Sequence, residues 1–179
     1  MRLILTLVLV FVPTWLLADD WDAFNQPGAH AIMRHALAPG GGDPAHFDIT
    51  DCATQRNLSD RGRAQARTIG QALGERGVTF ERILTSQWCR SRETAELLGL
   101  GPVTEEPALN SFFQDRSTAD SQTKATAELA HRATGPVMMV AHQVNITALT
   151  GVFPASGEIV IFRITDDGTE VLGTVEIEP

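Results

Sequence analysis

Three apolar stretches of this chain run directly into side chains suited to anion chemistry. Ala31-Ile32-Met33 leads into Arg34 and His35, Ile83-Leu84 leads through Ser86 to Arg90, and Val137-Met138-Met139-Val140-Ala141 leads into His142. Two guanidinium groups and two imidazoles brought together suit a tetrahedral phosphoryl group, because each guanidinium presents paired donors to its oxygens. In such a set one imidazole attacks phosphorus and the other binds the group being transferred. A single histidine is more often a structural residue. The shared place of both at the end of an apolar run is what favours chemistry. No GxxxxGK[S/T] segment is present, so this is not a P-loop nucleotide site.

Such a set needs a scaffold that aligns strand ends, and the sequence supplies one. A short strand is expected at 29–33, then a loop at 39–44 with three consecutive glycines. Ser59 is a fitting N-cap for a helix over 60–76, with Ala66, Ile69 and Leu73 on one face and Gly77 as its stop. A strand within 78–86 and a helix over 88–98 closed by Gly99 follow, then an irregular stretch at 101–118 and a helix over 120–133. Residues 136–141 form the most apolar strand, 145–150 a helix closed by Gly151, and 158–165 with 170–178 a hairpin turning near Asp167 and Gly168. Helices between hydrophobic strands imply an α/β fold, a three-layer sandwich with a mostly parallel central sheet and a C-terminal β-hairpin. Ligands of such sheets bind beyond the carboxyl ends of the strands, where the arginines and histidines fall.

The chain has 179 residues, which suits one domain, and 43% apolar against 20% charged residues makes it globular. Lys+Arg 14 against Asp+Glu 22 gives −8, with a single Lys, which argues against binding nucleic acid. Arg2, the apolar run from Leu3 to Leu17 and Ala18 read as a signal peptide over 1–18, too short for a comfortable membrane span. The expectation is a periplasmic or secreted domain over 19–179 with no stable membrane insertion after cleavage, a retained anchor at 1–18 being the other reading. Export would permit a disulfide between Cys52 and Cys89, two buried free thiols being the other reading. Charge is uneven: 56–92 holds eight Arg and three acids, and 158–179 six acids and one Arg. Arg61, Arg63, Arg67 and Arg76 read as a solvated, salt-bridged helix face.

The residues now resemble the histidine phosphatase superfamily, also called phosphoglycerate-mutase-like, over nearly all of 19–179. Met33-Arg34-His35-Ala36 resembles that family's Arg-His-Gly block. Leu58-Ser59-Asp60-Arg61-Gly62-Arg63-Ala64-Gln65-Ala66 resembles the opening of its first long helix. Ser86-Gln87-Trp88-Cys89-Arg90-Ser91-Arg92-Glu93-Thr94-Ala95 is similar to its second arginine block, and Ala141-His142 to its second histidine block. The resemblance implies a phosphoric monoester hydrolase. His35 would form a phosphohistidine, while Arg34, Arg90 and His142 grip the phosphoryl oxygens and Gln143 joins in substrate binding. It implies no metal and no cofactor. The substrate would be a small phosphorylated metabolite or, as for exported relatives, a phosphorylated envelope sugar.

Three departures bear on that reading: Ala36 stands for glycine, Gln87 for a common proline, and no carboxyl group is at once evident to protonate the leaving oxygen. Gln143 occupies the position after the second histidine where one branch of the family has aspartate. Near the other usual position, Leu109-Asn110-Ser111-Phe112-Phe113, the carboxyls are Glu105, Glu106 and Asp115, with nothing to choose among them. A phosphate-binding module that has lost turnover is therefore the rival reading, and a zinc hydrolase using His35, His46 and His142 a third, without supporting ligand spacing. Gln55, Arg56 and Asn57 read as surface loop rather than pocket mouth. His30 and His131 read as solvent or edge residues, and Trp88, Phe112 and Phe113 as core more than pocket wall.

Overall fold

The Ser59 hydroxyl accepts the amide of Gly62 at 3.1 Å and opens helix α1 (Asp60–Glu75), as its place in the sequence requires. Ala66, Ile69 and Leu73 are buried, and Gly77 at φ +69 ends the helix in the left-handed conformation that costs other residues energy. The computed structural model describes residues 20–178, so the leader expected at 1–18 lies outside the described residues. The other helices are α2 (Cys89–Leu98), α3 (Ala119–His131) and α4 (Gln143–Thr150). Helix α4 starts two residues ahead of the sequence expectation, directly after His142, which serves as its N-cap residue.

The strands are β1 (His30–Arg34), β2 (Arg82–Thr85), β3 (Val103–Glu105), β4 (Val137–Ala141), β5 (Ile159–Thr165) and β6 (Gly168–Val175), in the sheet order β3-β2-β4-β1-β5-β6. The first four in that order run parallel, and β5 and β6 add antiparallel as the expected hairpin. Strand β3 corrects the reading of 101–118 as irregular. Its three residues are half-buried or exposed on the sheet edge, and so short a piece carries no apolar run. His30 is also corrected: it lies buried in central β1, and its Nδ1 accepts the amide of Val137 at 3.3 Å.

Alternate strand side chains feed opposite layers. Met33, Ile83, Val140 and Ile161 pack against Ile69 and Leu73 of α1 and Leu98 of α2. Ile32, Leu84, Met139 and Phe162 pack against Ala130 of α3 and Ile146 and Leu149 of α4. This makes the three-layer sandwich. Cys52 and Cys89 are joined as a disulfide with Cα atoms 5.7 Å apart, tying the loop before α1 to the start of α2.

Two glycines set the height and rotation of α1. A Cβ on Gly62 would overlap the Leu37 carbonyl, and one on Gly70 would overlap that of Leu98. Gly74, on the same helix, is exposed and has open space at that position. Gly70→Ala is expected to destabilise the fold by about 2 kcal/mol through overpacking. Gly74→Ala should stabilise it by about 0.5 kcal/mol by restricting the unfolded chain. Urea unfolding of both variants measures this, and equal midpoints would contradict the packing described.

Candidate active site

Strand register places the chemistry. Arg34 pairs with Ala141, and Thr85 with Val140, so three parallel strands end level. The ladder then continues one residue further, because His35 donates its amide to the Ala141 carbonyl and Ser86 its amide to that of Val140, both at 3.0 Å. His35, Ser86 and His142 therefore leave the sheet side by side. Arg90 reaches them from the first turn of α2. Its neighbours in the helix block are also engaged, since Thr94 Oγ1 accepts the Ala36 amide at 3.0 Å.

The four expected groups line one cavity of about 140 Å³, with Gln143 at its wall. His35 and His142 stand edge to face with ring centroids 5.5 Å apart. A larger cavity of about 400 Å³ opens at the amino ends of the strands, beside Trp21, Arg76 and Pro136. It contains no imidazole, so size does not choose the site here; the chemistry does.

Hydrogen bonds assign the protons. The His35 Nδ1–H donates to the Ala36 carbonyl at 2.8 Å, since a carbonyl can only accept. That leaves a lone pair on Nε2, which accepts from Arg90 Nε at 3.2 Å. On His142 it is Nδ1 that faces Arg90 Nη2, at 3.5 Å, while Nε2 lies 2.8 Å from Ser86 Oγ and 3.4 Å from Ser91 Oγ. The Ser86 hydroxyl in turn donates to Asn110 Oδ1 at 3.3 Å. Burial, followed by the positive charge of Arg90, holds both imidazoles well below the usual histidine range. Both are neutral at pH 7.

Two charged residues of the site, Arg56 and Asp43, were not assigned to it from sequence. Arg56, read as surface loop, lines the cavity as a third guanidinium. Its Nε donates to the Gly42 carbonyl at 2.9 Å and its Nη1 to that of Ala38. Burial and the nearby charge of Arg90 push it down to about 10. Gln55 is likewise buried, its Oε1 accepting the Cys89 amide at 3.0 Å. Asp43, in the glycine loop, forms a two-pronged ion pair with Arg90 at 2.7 and 3.1 Å. Burial raises its affinity for protons, but the bonds from Arg90 and Trp88 outweigh that and hold it below the usual carboxylate range. Three guanidiniums and one carboxylate leave the cavity with a net charge near +2, opposite to a phosphomonoester dianion. The only sequence signal for Asp43 was an acid inside a glycine-rich loop.

The departures from the family pattern also become physical. No non-glycine residue among those described has positive φ, so the backbone at Ala36 demands no glycine. The Gln87 amide donates to Asn110 Oδ1 at 2.9 Å, a bond that proline could not make. None of the three candidate carboxyls lines the cavity. Glu105 pairs with Arg92 at 2.9 Å, Glu106 caps the turn at Pro107–Leu109, and Asp115 caps the turn at Arg116–Thr118. Gln143 bonds Thr147 Oγ1 at 2.8 Å. His46 is exposed and outside the lining, which removes the three-histidine zinc arrangement. Phe112 is core at 3% exposure, whereas Trp88 and Phe113, read as core, are pocket wall, with Phe113 56% exposed.

The model of the histidine phosphatase superfamily (branch 1) matches residues 32–116. Serine/threonine-protein phosphatase Pgam5, mitochondrial, of Drosophila grimshawi is 35% identical over 65 residues, which is 36% of this chain and 22% of that protein. The chain thus spans about a fifth of the length of that curated relative. Its fold matches that of the protein histidine phosphatase SixA complexed with tungstate, with TM-score 0.61 and 18% identity over 83% of this chain and 96% of that one. It also matches a mycobacterial glucosyl-3-phosphoglycerate phosphatase complexed with VO3, with TM-score 0.57 and 18% identity over 80% of this chain and 96% of that one.

Buried neutral histidines give a signed pH dependence. The folded state binds fewer protons than the unfolded chain below about pH 6.5, so stability should fall as pH drops through that value. Urea unfolding between pH 7.5 and 5 tests this, alongside NMR of labelled imidazoles. Rings of His35 and His142 that protonate at the ordinary histidine value would contradict the burial described.

Proposed function

We propose that this chain, whose residues 32–116 match the histidine phosphatase superfamily (branch 1), is a member of that superfamily and a metal-independent phosphomonoester hydrolase working through a phosphohistidine on His35. The carrying observation is the Nε2 lone pair of His35, fixed by the Nδ1 bond to Ala36 and aimed at Arg90 inside the cavity. In the reaction Nε2 attacks phosphorus and the bond from phosphorus to the leaving oxygen breaks. Arg34, Arg90 and His142 hold the remaining phosphoryl oxygens, and Arg56 adds charge. Water then attacks the phosphohistidine and releases phosphate. The guanidiniums supply the positive charge that a metal provides in other phosphoryl-transfer sites.

Proton delivery to the leaving group is the weak step. Asp43, the one carboxylate lining the cavity among the described residues, is held ionised by Arg90. A missing acid costs about 10²- to 10⁴-fold unless the leaving group is already good. The relatives' names point to protein side chains in two cases and a sugar derivative in the third, so the phosphoryl group is their common denominator. For this chain a small phosphorylated metabolite or an envelope sugar fits the cavity and the proposed export. The disulfide supports export, since such bonds persist in oxidising compartments. Gln143, an amide beside the second histidine, favours the second reading, a phosphate-binding module without turnover.

Purified protein incubated with p-nitrophenyl phosphate and EDTA separates these readings. The expected result is chelator-resistant turnover that falls on the order of 10⁴-fold or more in His35→Ala. An alkyl phosphate should turn over about 10²-fold or more slowly than the aryl ester. Phosphate binding without turnover would establish the module instead, and abolition by EDTA would overturn metal independence.

A further inference from the structure

A guanidinium has two edges that can each hold an anion, one bearing Nη1 and Nη2, the other Nε and Nη2. In Arg90 the two are used differently. The Nη1–Nη2 edge is taken by Asp43, with Nη1 donating to Oδ1 at 2.7 Å and Nη2 to Oδ2 at 3.1 Å. The Nε–Nη2 edge faces the two in-cavity imidazole nitrogens, His35 Nε2 at 3.2 Å and His142 Nδ1 at 3.5 Å. A tetrahedral group seated between the imidazoles meets that second edge.

We infer that Asp43 is a positioning residue for phosphoryl transfer, a built-in counter-anion that clamps one edge of Arg90 and thereby turns the other toward the reacting group. The inference rests on the phosphatase reading above. The carboxylate is itself fixed by three residues: besides Arg90, it accepts the Trp88 Nε1–H at 2.9 Å and the Arg56 amide at 3.1 Å. Arg56 in turn straps the glycine loop through the carbonyls of Ala38 and Gly42. The side chains of Arg90 and Asp43 are 3% and 7% exposed, so water does little to weaken the pair. Among the described residues Asp43 is the only acid in a lining that holds three arginines. Without it, Arg90 would lose its two-pronged partner and keep on that edge only the bond from Nη1 to the Arg56 carbonyl at 3.3 Å.

Asp43→Asn keeps the shape and removes the charge, and two opposite outcomes are possible on physical grounds. If the carboxylate merely competes with substrate for Arg90, the variant binds anions more tightly and turns over as fast or faster. If it positions Arg90, kcat falls about 10²-fold, the effect of a misplaced reacting group, while KM and inhibition by inorganic phosphate change less than about threefold. Steady-state kinetics on p-nitrophenyl phosphate read both, with thermal melting to confirm that the variant is folded. A double-mutant cycle with Arg90→Ala adds a readout that general loosening would not give: on that background Asp43→Asn should cost less than about threefold more. Unchanged or increased kcat in Asp43→Asn, or losses that multiply in the double variant, would overturn the inference. Wild-type protein without turnover would instead overturn the phosphatase reading. The same cycle is then read as orthovanadate affinity by calorimetry, where an Asp43→Asn loss that disappears on the Arg90→Ala background supports the clamp. Unchanged or tighter vanadate binding, or no binding by the wild type, overturns it.

Discussion

The confinement of three guanidinium groups within one small cavity governs the rest of this site. Like charges a few ångströms apart repel by roughly several kcal/mol in a partly dry pocket. Arg34, Arg56 and Arg90 all hold their protons less firmly than a free arginine, first because of burial and, for Arg34 and Arg56, also because of the charge of Arg90. Burial, reinforced by the charge of Arg90, keeps both imidazoles neutral. A neutral ring at His35, which the proposed phosphohistidine chemistry requires, thus accompanies anion affinity, since the burial and the cations that suit a phosphate also disfavour a proton on the ring. One arrangement supplies both requirements, with one carboxylate as a partial counterweight.

The frame that enforces this confinement is rigid by close approach rather than by bulk. Helix α1 lies against the Leu37 and Leu98 carbonyls only because residues 62 and 70 have no side chain. Gln65, between them, is buried and uses its amide fully: Oε1 accepts the Leu37 amide at 3.0 Å, and Nε2 donates to the carbonyls of Ser156 and Ile177 at 2.7 and 2.8 Å. It couples the segment just after His35 to the turn before β5. Arg34 makes a parallel link, donating from Nη1 to the Pro154 carbonyl at 3.0 Å.

Strand ends, helix caps and the order of the sequence blocks were legible because each is local. Apolar runs mark β1, β2 and β4, Ser59 marks the start of α1, and Gly77, Gly99 and Gly151 mark helix ends. What sequence reading missed depended on distant partners. Strand β3 exists because β2 offers it an edge, not because Val-Thr-Glu favours extension by itself. Arg56 and Asp43 sit in a stretch whose composition says only loop, and their roles arise from Arg90, 34 and 47 positions away. Trp88 has the composition of core, but stacks on Phe47 and stands edge-on to His142, so its placement depends on the loop that covers it. The carboxyls at 105, 106 and 115 had the right neighbourhood in sequence; the structure commits them to an ion pair and two turn caps.

That covering loop carries two of the site's charged groups, yet from His35 to Ser59 its regular structure is a single three-residue turn, Cys52–Thr54. Ordering such a stretch forfeits backbone freedom at about 1–2 kcal/mol per residue, with few buried apolar side chains to compensate. The Cys52–Cys89 bond, which spans 37 positions, pins the end of this stretch to α2 and offsets about 4 kcal/mol of the domain's folding cost in the chain-entropy model. The one disulfide among the described residues thus joins the segment that carries Arg56 to the helix that carries Arg90, four positions from the first arginine and one from the second.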